Sequence, residues 1–371
     1  MSYFDHCATT PIHPVVIDKM ESTSKTHFGN PSSLHTSGRK AKSLIESSRR
    51  IIANALKAST NEIIFTGSGT EANNSVLWSL IHEENKHVIT SSIEHPAILK
   101  VLDSIAPFGI SYTKLPVNKF GEVNPKDLKK SIKKDTGLIS IMMVNNEVGT
   151  INPIKDLIEI AEEKNIPFHS DAVQALGKIP LSVKDIQADY LSFSGHKFYG
   201  PKGVGFLYKK NESKLNPLII GGGQEGQFRA GTENISGIVG LAEAVRLAIE
   251  NLDNRILHLE ELESEFKAKL LSLSSNVIFN GHPEKHAPGV ISASFLGKRS
   301  DILLVELDRE KIEVSSGSAC GSGSVKPSFV LEEMGLSENQ NTSTIRISFG
   351  RSNSLEDVDT LVKALVKFTN V

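Results

Sequence analysis

Ser192-Phe193-Ser194-Gly195-His196-Lys197-Phe198-Tyr199-Gly200-Pro201-Lys202-Gly203 reads as a strand that runs into a tight turn and presents one lysine. Tyr190, Leu191 and Phe193 form its apolar lead, and Val204, Phe206, Leu207 and Tyr208 resume a strand beyond glycines 200, 203 and 205. A lone lysine in such a turn is ordinarily a solvated cation. Here Ser194 and His196 flank it, a hydroxyl and an imidazole suited to a phosphate. The neighbourhood fits a cofactor whose aldehyde is captured by the lysine amine as a Schiff base.

Upstream of this turn, apolar strand-like and amphipathic helix-like segments alternate. Strands are expected at 62–65, 87–90, 110–115, 138–144 and 167–170, and helices at 33–58, 71–81, 96–108 and 154–164. Residues 1–12 read as an extended arm. The alternation predicts an α/β protein whose large domain is a mainly parallel sheet with helices on both faces. In such sheets ligands gather beyond the carboxyl ends of the strands. One long helical stretch is expected over 235–273, followed by a smaller α+β unit with strands near 277–279, 289–295, 312–314 and 343–348. The domain boundary falls inside the long helix, giving a large domain at 13–255 and a small one from 1–12 and 256–371.

The loops at the strand ends carry the polar groups. Thr66-Gly67-Ser68-Gly69-Thr70-Glu71 opens a helix and offers free N–H groups to a phosphate, although an ordinary capped loop looks the same. His95 sits at another helix entry, where a proton-moving, ring-facing imidazole would be useful. Asn145-Asn146-Glu147 ends the most apolar strand and is poor packing material. Asp171 ends a buried strand and can keep a pyridine nitrogen protonated; a helix cap is the plain alternative. Gln174 lies one turn further on.

With 371 residues, 39% hydrophobic, 23% charged and a formal net charge of −2, the chain has room for two domains. That balance gives no overall pull to nucleic acid or membrane. The start, Met1-Ser2-Tyr3-Phe4-Asp5-His6, shows no basic-then-apolar leader, so a cytoplasmic location is expected. Two cysteines, Cys7 and Cys320, make no disulfide framework, and the scattered histidines show no metal-ligand spacing. Cys320 lies in Ser315-Ser316-Gly317-Ser318-Ala319-Cys320-Gly321-Ser322-Gly323-Ser324, without a core-forming side chain, and is expected to be exposed and mobile. Cys7 reads as a small packed residue outside the site.

Asp171 with Gln174, His95 and the Ser-Gly-His-Lys turn resemble the pyridoxal-phosphate-dependent class V aminotransferases, and more narrowly the cysteine desulfurases. The likeness extends through Phe4-Asp5-His6-Cys7-Ala8-Thr9-Thr10-Pro11, Phe28-Gly29-Asn30-Pro31-Ser32-Ser33, Arg229-Ala230-Gly231-Thr232-Glu233-Asn234 and Ile345-Arg346-Ile347-Ser348-Phe349-Gly350-Arg351. It implies the fold of the type I pyridoxal-phosphate transferases, with a seven-stranded sheet. It assigns the Schiff base to Lys197, the pyridine nitrogen to Asp171, the phenolic oxygen to Gln174 and ring stacking to His95. Gly69, Thr70, Ser194 and His196 would hold the phosphate. Thr232 of a second subunit would complete that cradle, which implies a homodimer. Asn146 and Arg346 would bind the carboxylate of L-cysteine, with Arg351 as a less favoured partner. Cys320 would take the sulfur as a persulfide for a protein acceptor in iron–sulfur cluster assembly, tRNA thiolation or DNA phosphorothioation. A selenocysteine lyase or another small-amino-acid enzyme of the same fold would share Lys197 and Asp171 without needing Cys320. A non-catalytic scaffold would need none of them.

Overall fold

The computed structural model describes residues 2–273, 276–316 and 327–369. The chain opens with β1 (Ser2–Tyr3), α1 (Pro14–Thr26) and α2 (Thr36–Leu56). The central sheet takes β2 (Ile63–Thr66), β3 (His87–Ser91), β4 (Ser111–Leu115), β5 (Thr136–Ser140), β6 (Phe168–Asp171), β7 (Tyr190–Ser194) and β8 (Gly205–Lys209). In space the order is β2-β8-β7-β6-β5-β3-β4, with β8 antiparallel to both neighbours and the other pairs parallel. This is the expected mainly parallel seven-stranded α/β sheet.

Strands in such a sheet are buried on both faces, so their apolar runs divide by alternation. Ile63, Phe65, Ile89, Ile139, Leu191, Phe193, Phe206 and Tyr208 join one core. Their immediate neighbours Ile64, Val88, Leu138, Tyr190 and Leu207 join the core on the opposite face. Phe193 and Phe206 stack across β7 and β8 with ring centroids 4.4 Å apart, a contact worth about 1 kcal/mol beyond its buried area. It lies directly under the lysine turn.

Four crossovers carry α3 (Gly69–Ser79), α4 (Pro96–Ile105), α5 (Pro125–Ser131) and α6 (Ile154–Glu162), and the short α7 (Val183–Ile186) precedes β7. The expected strand 138–144 is observed as β5 ending at Ser140: on the β3 side the Met142 N–H donates to Glu94 Oε1 at 2.8 Å, while Ile141 and Met143 still donate to His169 O and Asp171 O of β6. The expected single helix 235–273 is two, α8 (Ile235–Glu250) and α9 (Leu252–Leu273). Asn251 interrupts them, its N–H donating to Ile249 O and its side-chain amide to Leu247 O. Helix α1 had no expectation; Val16 and Thr23 are buried while Val15 and Ile17 are exposed, so its apolar stripe is too thin to read.

Beyond α9 come β9 (Val277–Asn280), β10 (Val290–Phe295), α10 (Ser300–Arg309), β11 (Ile312–Glu313), α11 (Phe329–Glu333), α12 (Glu338–Thr342), β12 (Thr344–Ser348) and α13 (Leu355–Thr369). The antiparallel sheet β12-β10-β9 packs with α9, α10 and α13 around Phe266, Leu270, Phe295, Leu307, Ile345, Ile347 and Leu361. The N-terminal arm is stitched into this unit. β1 pairs with β11, Phe4 is buried edge-on to Phe349, and the Ser348 N–H donates to Phe4 O at 2.7 Å. From there the arm crosses to the large sheet, where the Thr10 N–H donates to His196 O at 2.9 Å.

Candidate active site at the carboxyl edge of the sheet

The ends of β2, β3, β5, β6 and β7, which all point the same way, deliver Gly69, His95, Asn146, Asp171 and Lys197 to one edge. Lys197 ends a single 3-10 turn, Gly195–Lys197, and is half-buried. Its Nζ donates to Cys7 O at 2.7 Å and Ala8 O at 2.8 Å, both supplied by the arm. Burial lowers its pKa to about 8, with Lys178 and Arg346 adding to the fall against Cys7 and Asp171.

Asp171 is buried, and both oxygens are oriented from the protein side. Oδ2 accepts from Asn73 Nδ2 at 2.7 Å, and Oδ1 accepts from the Val173 N–H at 3.0 Å. Asn73 projects from α3 and is itself 1% exposed. Reading strand ends overlooked it, since it lies inside a helix; the small apolar Ala72 and Val76 beside it were the available sign that this helix face is buried.

The first turn of α3 fits a phosphate. Ser68 Oγ accepts from the Glu71 N–H at 3.1 Å, and Glu71 returns an oxygen to the Gly67 N–H at 2.9 Å, a reciprocal cap that fixes the turn. The helix begins at Gly69, so its leading N–H groups have no partner within the helix. A Cβ at Gly69 would meet Val173 Cγ2 at 2.6 Å and Ser194 Cβ at 3.2 Å, so only glycine lets the turn close against Ser194. His196 Nδ1 lies 3.1 Å from Thr9 Oγ1. Burial first, then Lys197 and Lys202, lowers its pKa to about 4, so at neutral pH it serves as a neutral hydrogen-bonding ring. Thr70 is exposed on the same turn, and Thr232 is exposed on the connection into α8.

His95 caps α4, its Nδ1 accepting from the Ala97 N–H at 3.1 Å, which leaves Nε2 as the protonated nitrogen of the neutral ring. The surrounding protein lowers its pKa, opposed by Asp171 and assisted by Lys197. Beneath it Glu94 is fully buried, with Oε1 accepting from Ser91 Oγ at 2.6 Å. Burial raises the Glu94 carboxyl to about 8, so it is largely the neutral acid at pH 7.

Cys7 corrects the expectation that it lies outside the site. It is 2% exposed, as packing demands, but its carbonyl receives both Lys197 and Gln174 Nε2, the latter at 2.9 Å. Lys178 Nζ lies 3.4 Å from its sulfur and also donates to Gln174 Oε1. Burial alone would raise the Cys7 thiol; Lys178, Arg346, Lys197 and Ser348 outweigh it and lower the pKa. Both ends of the Gln174 amide are thus engaged.

Arg346, on β12, reaches the same pocket while 6% exposed. One terminal nitrogen donates to Asn146 O at 2.9 Å and the other to Asp5 Oδ1 at 2.7 Å, whereas Nε is buried with no partner among the described residues. Arg351 instead faces the Tyr199 ring at 5.5 Å, and its N–H donates to Tyr199 Oη at 2.8 Å, which makes it a packing residue. Cys320 and the expected mobile segment around it lie outside the described residues.

The depressed lysine gives a pH dependence. Only the neutral amine attacks an aldehyde, and the neutral fraction stops growing above the pKa. Were Lys197 the amine that takes up pyridoxal phosphate, capture of the added aldehyde by cofactor-free protein, divided by capture by a free lysine derivative at the same pH, would stay level below about pH 8. Above it the ratio falls, because the free amine keeps gaining neutral form up to ~10.4. Stopped-flow absorbance measures both rates; a ratio still level at pH 10 contradicts the depressed pKa.

Residues 2–361 match the family described as Aminotransferase class-V. The chain is 44% identical over 360 residues to a protein of Dictyoglomus turgidum named cysteine desulfurase IscS, covering 96% of this chain and 91% of that protein. A solved structure titled NifS-like protein superposes with a TM-score of 0.94 at 36% identity, covering 100% of this chain and 99% of the other. Another, titled SspA in complex with cysteine, gives 0.82 at 36% identity over 94% of this chain and 99% of the other. Among the described residues, no helix is long and apolar enough to cross a membrane.

Proposed function

The chain belongs to the class-V aminotransferase family, and from that membership and the lysine site we infer that it is a cysteine desulfurase. It converts L-cysteine to L-alanine and passes the sulfur to Cys320, whose thiol becomes a persulfide. The observation that carries the reading is the Lys197 amine, depressed toward neutrality and held on the Cys7 and Ala8 carbonyls near an Asp171 fixed on both oxygens.

Bound pyridoxal phosphate supplies an aldehyde to take up the amino acid and a ring to accept electrons when the α-proton leaves. Lys197 would hold that aldehyde through its amine and would be the base that accepts and returns the α-proton. Asp171, held by Asn73 and the Val173 N–H, keeps the pyridine nitrogen protonated. Gly69, Thr70, Ser194 and His196 hold the phosphate, completed by Thr232 from a second copy of the chain. His95 would cover the ring and Gln174 would serve the phenolic oxygen, its amide lying on Cys7 O and Lys178 Nζ in this structure. Asn146 and Arg346 grip the substrate carboxylate, a planar anion matched to the guanidinium fork. The Cys320 thiolate attacks the substrate sulfur, forming the S–S bond as the C–S bond breaks, and the substrate carbon is protonated to give alanine.

Residues 13–255 form the cofactor-binding unit, and 1–12 with 256–371 the unit that carries Cys320. The persulfide is delivered to a protein acceptor in the cytoplasm. The test is turnover: cofactor-loaded protein, L-cysteine and a thiol reductant give alanine and sulfide in equal amounts. Alanine without sulfide, or neither product, contradicts the assignment.

A further inference from the structure

Glu147 is a buried carboxylate that the chemistry above leaves unused. It follows Asn146 in the loop after β5 and is 5% exposed. Its backbone N–H donates to Asn145 Oδ1 at 2.8 Å, which fixes the loop. Its Oε2 accepts from Ser328 Oγ at 2.5 Å, a residue far away in sequence. Burying a carboxylate is costly without compensation. Burial raises the Glu147 pKa, while Ser328 and Arg346 act in the other direction.

Ser328 is locked in place. Its N–H donates to Asn341 Oδ1 and its carbonyl accepts from Asn341 Nδ2, both at 2.8 Å. Its Oγ also accepts from the Leu331 N–H at 3.3 Å, capping α11. On the other side of residues 317–326, Ser315 forms an antiparallel bridge to Arg346, with N–H···O distances of 3.1 and 2.5 Å. Arg346 in turn donates to Asn146 O. Both flanks of the segment that carries Cys320 therefore lead to the same arginine. Ser315 reaches it directly, and Ser328 reaches it through Glu147 and its neighbour Asn146.

We propose that Glu147 is a positioning residue for sulfur transfer: by holding Ser328 to the Asn146–Arg346 corner, it sets the downstream anchor of the segment bearing Cys320. This rests on Cys320 being the sulfur acceptor. The anchor is a hydrogen bond rather than a charge requirement, so glutamine, whose Oε1 can accept from Ser328 Oγ, should replace glutamate. Alanine should not.

The test uses the cofactor-loaded full chain. Glu147→Ala and Ser328→Ala are each expected to lower the kcat for sulfide release about tenfold or more, with the KM for L-cysteine within about twofold. The cysteine-induced change in cofactor absorbance should keep its amplitude, and Glu147→Gln should return kcat to within about threefold of the parent. The double variant should be no slower than the slower single one, because both remove the same contact. Ser328→Ala removes a single oxygen and guards against a fold defect at Glu147. Wild-type sulfide release in both alanine variants overturns the proposal. So does a loss of the absorbance change matching the loss of kcat. Cys320→Ala separates the two readings. If it still makes alanine, the acceptor reading and this proposal fall together; if it is inactive while both alanine variants transfer sulfur normally, only the role of Glu147 fails.

Discussion

Lys197→Ala is expected to lower cysteine turnover on the order of 10³-fold or more, since on the proposed function two roles leave with one amine. The first is capture of the aldehyde. The Lys197 amine, lowered to about 8, has a far larger neutral fraction at pH 7.5 than an ordinary lysine. The second is movement of the α-proton, for which a positioned base is worth ~10²–10⁴-fold. Two basic neighbours are engaged elsewhere. Lys178 is committed to Gln174 and Cys7, and His196 is turned to Thr9. The variant should still bind the cofactor through Asp171 and the α3 turn. Borohydride should no longer fix the cofactor to the chain, and dialysis should remove it. A variant retaining a tenth of the parent rate would contradict the role given to Lys197.

Most of this edge could be read from sequence because a parallel sheet converts order along the chain into proximity. Each apolar run ends in a polar loop, and parallel pairing brings the loops after β3, β5, β6 and β7 together, so His95, Asn146, Asp171 and Lys197 converge; Gly69 joins them because β2, across the antiparallel β8, runs the same way as β7. What stayed hidden depends on contacts between segments far apart in the chain. Cys7 reads as packing because its side chain is small and buried. The group that matters is its carbonyl, brought to Lys197 when β1 and Phe4 anchor the arm in the small unit. Asn73 points inward from a helix whose own sequence does not name the aspartate it holds. Glu147 was visible as a polar residue at a strand end, but its partner Ser328 becomes apparent only after α11 and α12 fold against that loop. The departure of β5 from β3 also depends on a distant segment, since the buried Glu94 carboxyl takes the Met142 N–H on that side.

Cys320→Ala should abolish sulfide and alanine formation, leaving less than ~1% of the parent rate, while L-cysteine still perturbs the bound cofactor. The proposed binding groups Lys197, Asp171, Asn146 and Arg346 are untouched by that change, so the loss would fall on C–S cleavage. The chain contains one other thiol, Cys7, and its pKa is lowered beside Lys178. Its sulfur is buried and engaged with that lysine, whereas an acceptor must reach the substrate and then a partner protein.

The two cysteines make the central claim directly measurable. Cofactor-loaded protein is given one equivalent of L-cysteine without reductant, quenched, digested and mapped by mass. One added sulfur atom is expected on the peptide containing Cys320, matched by one equivalent of alanine and absent from the Cys320→Ala protein. Added sulfur on the Cys7 peptide, or alanine still formed by Cys320→Ala, would contradict it.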